Sequence, residues 1–234
     1  MAARGKYDKG NIAKLIAKLW GGIADDQLEL LKEHLEIKKY KKNEIIYKNE
    51  GTPEHALCLI SGKVKIYKEG IGGKSQIIRV IKPIEFFGFR AYFADEIYKT
   101  AAMSLENCIV AQFPLAVLMK LLSKSFNIGL FFIKYLSVEI GKSDDRTVNL
   151  TQKHIRARLA EGLMFLKDSY GVEKDGKTLD IRLSREDLAN LCNMTTSNAI
   201  RTLSAFTAEE LIKTEGRKIK ILQEEEIIKI AELG

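Results

Sequence analysis

The stretch LSREDLANLCNMTTSNAIRTL, residues 183–203, decides the fold. Ser184 followed by Asp187 makes the S-x-x-D capping pattern that begins a helix, and Thr195 can cap a second helix. Asn193 stands between them, where the chain must turn, and Asn tolerates a left-handed backbone better than most residues. The stretch therefore predicts two short helices joined by a tight turn, the shape that fits a DNA major groove.

The second helix of the pair has an apolar face and a polar face. Its predicted buried stripe is Ala199, Ile200 and Leu203. An ordinary αα-hairpin inside a core remains the alternative, because the pattern by itself is loose. The polar side chains can bond base edges or phosphates, and with the capping residue the candidate DNA contacts are Thr195, Thr196, Ser197, Asn198 and Arg201.

The flanking segments favour a DNA-binding module over a core hairpin. Residues 178–183 (TLDIRL) alternate like a strand, and residues 211–222 (LIKTEGRKIKIL) predict a strand, a Glu-Gly turn and a second strand. This arrangement is a winged helix, in which Arg217 and Lys218 of the wing are candidate phosphate contacts. The wing carries four basic side chains, Lys213, Arg217, Lys218 and Lys220.

Composition narrows the class of protein further. The chain has 234 residues, is 46% hydrophobic and carries a net charge of +7, which fits a folded protein of one or two domains. The positive charge is spread along the chain rather than concentrated in the winged helix. DNA binding must therefore depend on placed side chains more than on a general positive field.

The cysteines and the apolar segments indicate a cytoplasmic protein. Cys58, Cys108 and Cys192 are far apart and form no C-x-x-C pair, so they predict three buried thiols in a reducing compartment rather than disulfides or a metal site. No signal peptide is visible. The most apolar run, residues 127–136, contains Lys134 and is too short to span a bilayer. We therefore expect no membrane association.

The hydrophobic period changes twice along the rest of the chain. Residues 12–19 follow helical spacing, and from about residue 35 the period becomes two, with strands predicted at residues 63–66, 76–81 and 107–113. Several short strands separated by glycine turns predict a small antiparallel barrel or jelly roll. The helical period returns near residue 115.

A long helix predicted over residues 127–150 carries a stripe with alternating steps of three and four, the a/d seam of a coiled coil. A helix lying on its own domain is the alternative. A parallel partner is favoured because a winged helix that reads a palindrome needs a two-fold mate, and Ile133, Leu136 and Ile140 are the candidate dimer contacts. The full stripe is Ile133, Leu136, Ile140, Ser143, Thr147 and Leu150.

The order of these segments resembles the Crp/Fnr family of bacterial transcription regulators over nearly the whole chain. Besides the long helix, the anchors are ISGKVKIY at residues 60–67, FFGFRAYF at 86–93 and LANLCNMTTSNAIRTL at 188–203. The resemblance implies an α+β fold with an N-terminal β-roll of the double-stranded β-helix or jelly-roll type, a long dimerisation helix and a C-terminal winged helix-turn-helix. The implied bounds of these three parts are residues 1–125, 126–150 and 151–234.

Partners also follow from the resemblance. It implies a homodimer bound to a palindromic operator in double-stranded DNA, with RNA polymerase as a further partner if the protein is an activator. In the recognition helix, an Arg and a Glu that read bases in the cyclic-AMP receptor protein fall on Thr196 and Ser197, whereas a second Arg is retained as Arg201. Thr196 and Ser197 lack the reach for the same bases, so we expect a different operator.

The resemblance implies a β-roll that can bind a cyclic nucleotide, but the sequence departs from the nucleotide-binding pattern. The Gly-Glu pair that holds the ribose falls on Gly88 and Phe89, so the carboxylate is lost. The Arg that pairs with the cyclic phosphate, and the Ser or Thr after it, fall on Lys99 and Thr100. Lys keeps the charge but cannot make the bidentate fork of Arg.

Three more residues complete the candidate effector pocket. Arg90 lies beside the lost carboxylate and can serve a different anion or remain solvated, whereas Ser143 falls on a long-helix position that contacts the base, with Asp144 after it. We expect a small-molecule effector other than cyclic AMP; a vestigial pocket that no longer signals is the alternative. An iron–sulfur cluster is not expected because residues 1–57 contain no Cys.

An enzyme of the cupin type is a remote alternative for a β-roll. That chemistry needs clustered His and carboxylate ligands on neighbouring strands. The chain has no H-x-H, and His34, His55 and His154 are dispersed. We therefore expect no catalytic residues, no metal, no haem and no other cofactor.

Overall fold

The structure is a computed structural model that describes residues 8–70, 73 and 75–232. Its described residues fall into two units, one formed by residues 8–68 and 79–141 and the other by residues 69–78 and 142–232. The helices described are α1 Lys9–Leu19, α2 Asp25–His34, α3 Arg90–Phe93, α4 Leu115–Lys124, α5 Phe126–Gln152, α6 Ile155–Tyr170, α7 Arg185–Leu191, α8 Thr196–Ala208 and α9 Glu224–Glu232. The strands described are β1 Glu36–Tyr40, β2 Ile45–Tyr47, β3 His55–Ser61, β4 Val64–Glu69, β5 Ser75–Ile81, β6 Phe86–Phe87, β7 Ala101–Ser104, β8 Cys108–Pro114, β9 Ile212–Glu215 and β10 Lys218–Ile221.

Two four-stranded sheets form the β-roll, in the strand orders β1-β8-β3-β6 and β2-β7-β4-β5. Side chains alternate across each strand, so Leu57 and Leu59 of β3 pack with Ile66 of β4 between the sheets. Ala56 and Cys58 face the opposite way and pack under the helices. The first sheet is therefore buried on both faces. The predicted β-roll is confirmed, and β4, β5 and β8 agree with the predicted strands to within a few residues.

A layer of helices covers the outer face of the first sheet. Trp20 at the end of α1 stacks on Phe86 of β6 with ring centroids 5.8 Å apart. Phe132 of α5 packs edge-on against the same ring at 5.6 Å. These contacts join α1, β6 and the first half of α5 in one apolar cluster, which positions the start of the candidate effector pocket directly after β6.

Helix α5 has 27 residues and matches the predicted long helix. Ile133 is 60% exposed and Ile140 is 63% exposed, whereas Leu136 packs partly against the core of its own unit. Ile133 and Ile140, two of the three predicted dimer contacts, therefore form an apolar stripe on the surface of the chain. No single helix of the described part is long and apolar enough to cross a membrane; α4 and α5, bent by 116°, meet that criterion only together.

The C-terminal unit contains the predicted wing, because β9 and β10 pair antiparallel with Glu215 opposite Lys218. The strand predicted at residues 178–183 is wrong, since only single bridges form there, from Val172 to Leu179 and from Thr178 to Lys220. The alternation reflects burial of an extended segment, which makes too few backbone hydrogen bonds for a ladder. No element was predicted after the wing, but Glu224–Glu232 form helix α9, which has three Glu residues in its first turn, at the positive end of the helix dipole.

Candidate DNA-binding surface and effector pocket

The first helix of the helix-turn-helix begins as the sequence predicts. The Ser184 hydroxyl accepts a hydrogen bond from the Asp187 amide at 2.9 Å and donates to the Asp187 carboxylate at 2.7 Å. After α7, Asn193 adopts the left-handed conformation with φ of 50°. Arg158 of α6 donates to the Asn193 carbonyl at 2.7 Å. The turn that orients α8 is therefore held by backbone conformation and by a side chain from another helix.

The recognition helix α8 is capped by Thr195, whose hydroxyl accepts from the Asn198 amide at 3.2 Å. Its buried side chains are Ala199, Leu203 and Phe206. The prediction that Ile200 is buried is wrong, because its side chain is 47% exposed. The buried stripe follows steps of four and three, and a residue directly after Ala199 is rotated by about 100° out of that stripe.

All five predicted DNA contacts of the helix-turn-helix lie in the cap and first two turns of α8. Thr195, Ser197 and Arg201 are exposed, and Thr196 and Asn198 are half-buried. The Arg201 guanidinium lies 3.4 Å from the Asn198 side-chain oxygen. The structure therefore brings these side chains together at one end of one helix, which is the end that enters the major groove in helix-turn-helix proteins.

The two predicted wing contacts differ in their surroundings. Arg217 is exposed in the β9–β10 turn and has no ion-pair partner among residues 8–70, 73 and 75–232. Lys218 lies 3.1 Å from Glu173, and the hydrogen bond from Lys218 lowers the pKa of that carboxyl. Lys220 is paired in the same way with Asp175, also at 3.1 Å. Phosphates must compete with these carboxylates for the two lysines but not for Arg217.

Two arginines outside the predicted set hold this unit together. Arg185 in the first turn of α7 donates to the Gly216 carbonyl at 2.9 Å, which ties the helix-turn-helix to the wing turn. Arg146 of α5 donates to the Leu191 carbonyl at 2.9 Å and to the Ile78 carbonyl at 2.5 Å. Burial lowers the pKa of Arg146. The sequence alone could not reveal these roles, because each arginine binds a carbonyl that is distant in the chain.

In the candidate effector pocket, the structure turns Phe89 away from the interior of the roll. Its side chain is 2% exposed and its ring lies 4.8 Å from that of Phe132, within the cluster under the helices. Gly88 before it has φ of +79°, and a Cβ there would lie 3.0 Å from the Leu57 side chain. The ring at the ribose-binding position is thus part of the core.

The two cations of the pocket share one carboxylate. Glu96 lies 2.6 Å from Lys99 and 3.4 Å from Arg90, and both cations have 57% of their side chains exposed. The hydrogen bond from Lys99 is the main cause that lowers the pKa of Glu96. Glu96 was not among the predicted site residues, and it already serves as an internal anion for both cations.

Two tyrosines form a further part of this region that sequence reasoning missed. Tyr47 and Tyr98 stack with ring centroids 4.0 Å apart. The Tyr98 hydroxyl donates to the Gly88 carbonyl at 3.0 Å, and burial raises the pKa of Tyr47. Gly88 is therefore held by one of two stacked aromatic rings, and no carboxylate takes that place.

Ser143 and Asp144 of α5 are exposed and belong to the other unit, so their part in a pocket remains a prediction. Among the described residues, no cluster of three or more His, Cys, Asp or Glu side chains could hold a metal ion. Cys58, Cys108 and Cys192 are buried free thiols, as predicted.

A β-roll followed by a long helix and a winged helix-turn-helix defines a class of transcription regulators that bind DNA. Comparison with known families agrees, since residues 37–125 match the cyclic nucleotide-binding domain and residues 157–230 match the Crp-like helix-turn-helix domain. The chain belongs to the Crp/Fnr family and is a DNA-binding transcription regulator of that type. The members of this family are regulators rather than enzymes, which removes the cupin alternative.

Individual relatives are distant but span most of the chain. The fumarate and nitrate reduction regulatory protein of Vibrio cholerae is 24% identical over 211 residues, covering 89% of this chain and 84% of its own length. FixK2 of Bradyrhizobium japonicum has a TM-score of 0.76 at 20% identity, with 84% of this chain and 96% of FixK2 covered. CLP, the c-di-GMP responsive global regulator of Xanthomonas campestris, has a TM-score of 0.72 at 18% identity, with 85% and 99% covered. The two structural similarities concern the fold.

Proposed function

We propose that this chain is a cytoplasmic homodimer that binds a palindromic operator and responds to a small-molecule effector other than cyclic AMP. The observation that carries the proposal is the contrast between its two sites. The recognition helix presents Ser197 and Arg201 to solvent, as a base-reading surface requires. The position of the ribose-binding carboxylate is instead occupied by the buried ring of Phe89.

The homodimer is supported by the exposed stripe of α5. Ile133 and Ile140 are seven residues apart and both more than half exposed, which is the spacing of one seam position in successive heptads. Burying an aliphatic stripe of this kind against a second copy of the chain is energetically favourable. A two-fold dimer would place its half-sites about one helical turn apart, roughly 34–36 Å along the DNA. If the protein is an activator, RNA polymerase is its further partner.

The proposed effector follows from what the pocket offers. A cyclic nucleotide would need a carboxylate for the ribose and a bidentate cation for the phosphate. Phe89 supplies no hydrogen-bond acceptor, and Lys99 and Arg90 are both already paired with Glu96. The rings of Tyr47 and Tyr98 stack on each other and add apolar surface to this region rather than a carboxylate. A pocket that no longer signals is the second candidate, because Glu96 already pairs with both cations.

Cyclic AMP is therefore expected to bind weakly or not at all. Calorimetry on the full chain should give no heat at micromolar concentrations, and thermal shift with cyclic AMP, cyclic GMP, cyclic di-GMP and organic acids should single out a different compound. A ligand specific to the native state at about 100 times its Kd stabilises by about 2.7 kcal/mol, enough for a clear shift. Micromolar binding of cyclic AMP would contradict the proposal. If none of the compounds shifts the melting temperature, the vestigial pocket is favoured.

Arg201 is expected to be the main base reader. A guanidinium in the major groove can bind guanine O6 and N7, a contact worth roughly 1–3 kcal/mol of discrimination. In a binding-site selection, Arg201→Ala should therefore lose its preference at one base pair per half-site and keep the rest of the motif. Recovery of the unchanged wild-type motif by Arg201→Ala would refute this assignment.

The wing supplies the matched control for that experiment. Arg217→Ala should weaken binding to all sequences alike and lower the salt slope by about one for each phosphate that the variant no longer neutralises. Lys218→Ala should act in the same direction but less strongly, because Lys218 is paired with Glu173 before DNA arrives. Neither wing variant should alter the selected motif.

A further inference from the structure

Ile200 is an apolar side chain on the surface of α8 that faces away from the core. It is 47% exposed, whereas Ala199 before it and Leu203 after it are 0% and 3% exposed. Single exposed aliphatic residues are common on protein surfaces. The place of this one is specific, since it lies directly before Arg201, in the helix that carries the candidate base readers.

The neighbours of Ile200 on the helix surface are polar. Thr196 lies four residues before it, Ser197 three residues before it and Ser204 four residues after it, which are the spacings of adjacent side chains on a helix. Ser197 and Ser204 are exposed. Ile200 is therefore an aliphatic patch surrounded by short hydroxyl side chains, none of which is long enough to screen it from a groove.

The chemistry of the major groove identifies what such a patch can contact. Base edges there present hydrogen-bond donors and acceptors, and the C5-methyl group of thymine is the apolar feature among them. An isoleucine placed against a cytosine amine or a guanine oxygen would desolvate that group without replacing its hydrogen bond, which is unfavourable. Against a thymine methyl group it buries apolar surface on both sides.

We propose that Ile200 is a specificity-determining residue that selects thymine at one base pair of each half-site through its methyl group. The inference rests on the proposed sequence-specific DNA binding and adds to it the base and the atom that are read. Arg201 selects a base through hydrogen bonds, and Ile200 selects the base at a different position through an apolar contact.

Replacing thymine by deoxyuridine tests this, because the substitution removes the methyl group and keeps every hydrogen-bonding group. Each thymine of the operator selected by the wild-type chain is replaced in turn, and affinity is measured for wild type, Ile200→Ser and Ile200→Val. Wild type should lose about fourfold in affinity at one position of one half-site, and roughly the square of that when both half-sites are substituted.

The variants distinguish a methyl contact from a general effect. Ile200→Ser should bind the thymine and deoxyuridine operators equally, whereas Ile200→Val, which keeps the branched side chain, should retain the preference for thymine. Both should melt at the wild-type temperature because residue 200 is exposed. Equal sensitivity to deoxyuridine in Ile200→Ser and wild type, or none at any thymine in wild type, would overturn the inference and leave operator binding intact. Failure of wild type to select any sequence would contradict the proposed function itself.

Discussion

Replacing Ile140 by Asp is expected to dissociate the homodimer. In a parallel pair of α5 helices each seam residue meets its own symmetry mate, so two carboxylates would face each other where two isoleucine side chains pack. Asp144, one turn further on, adds a third and fourth negative charge nearby. Burying unpaired charge of this kind costs about 3–5 kcal/mol, which weakens association by at least about a hundredfold.

Light scattering on the full chain measures this directly. The mass should fall from twice the chain mass of 26.4 kDa to the chain mass itself, and affinity for the palindromic operator should fall with it. Val138→Asp is the matched control, because Val138 is 56% exposed on the same helix but lies two residues, and therefore about 200°, away from the seam. A dimer that survives Ile140→Asp would reject the seam; one that is lost in both variants would mean that the interface is wider than proposed.

Replacing Gly162 by Ala is expected to destabilise the winged helix, although Ala is the better helix former. Gly162 lies in α6, and a Cβ at that position would overlap the sulfur of Cys192. Cys192 follows α7 and is buried, which raises the pKa of its thiol to about 12 and keeps it neutral. Helix propensity favours Ala by about 1 kcal/mol, but overpacking of a core typically costs about 1–3 kcal/mol or more. The overlap with Cys192 should therefore make Gly162→Ala destabilising.

The chain offers a way to locate the loss. Trp20 is its single tryptophan and lies in the first unit, so its fluorescence reports unfolding of the β-roll, whereas circular dichroism reports both units. Gly162→Ala should move part of the circular dichroism transition to lower denaturant and leave the Trp20 transition in place. Gly129→Ala is the control, since its Cβ would meet its nearest neighbour at 3.8 Å.

Rescue would identify the cause. Cys192→Ala removes the sulfur, so the double variant should be more stable than Gly162→Ala alone, although Cys192→Ala by itself leaves a small cavity and destabilises. If Gly162→Ala is as stable as wild type, α6 and the turn after α7 can move apart without cost. The close packing of Gly162 against Cys192 would then not stabilise the helix-turn-helix.

Much of the DNA-binding unit could be predicted from the sequence because its signals are local. Ser184 and Asp187 satisfy each other across one helical turn, and Thr195 caps α8 through an amide three residues on. Asn193 adopts the left-handed conformation that a short turn needs. The wing hairpin likewise follows from a turn and two alternating strands. Each of these contacts joins residues close in the chain, so the sequence alone determined them.

The tertiary structure decided where individual side chains point and which charges pair. Ile200 belongs to the apolar pattern of α8 but lies outside its buried stripe, and Phe89 turns into the core under the helices rather than into the roll. Glu173 pairs with Lys218 across 45 residues of sequence. Because of this pair, Lys218 is less available to DNA phosphates than Arg217 is. Capping and turn formation depend on neighbours within about four residues. Burial and ion pairing depend on which distant element packs alongside, and no local pattern encodes that choice.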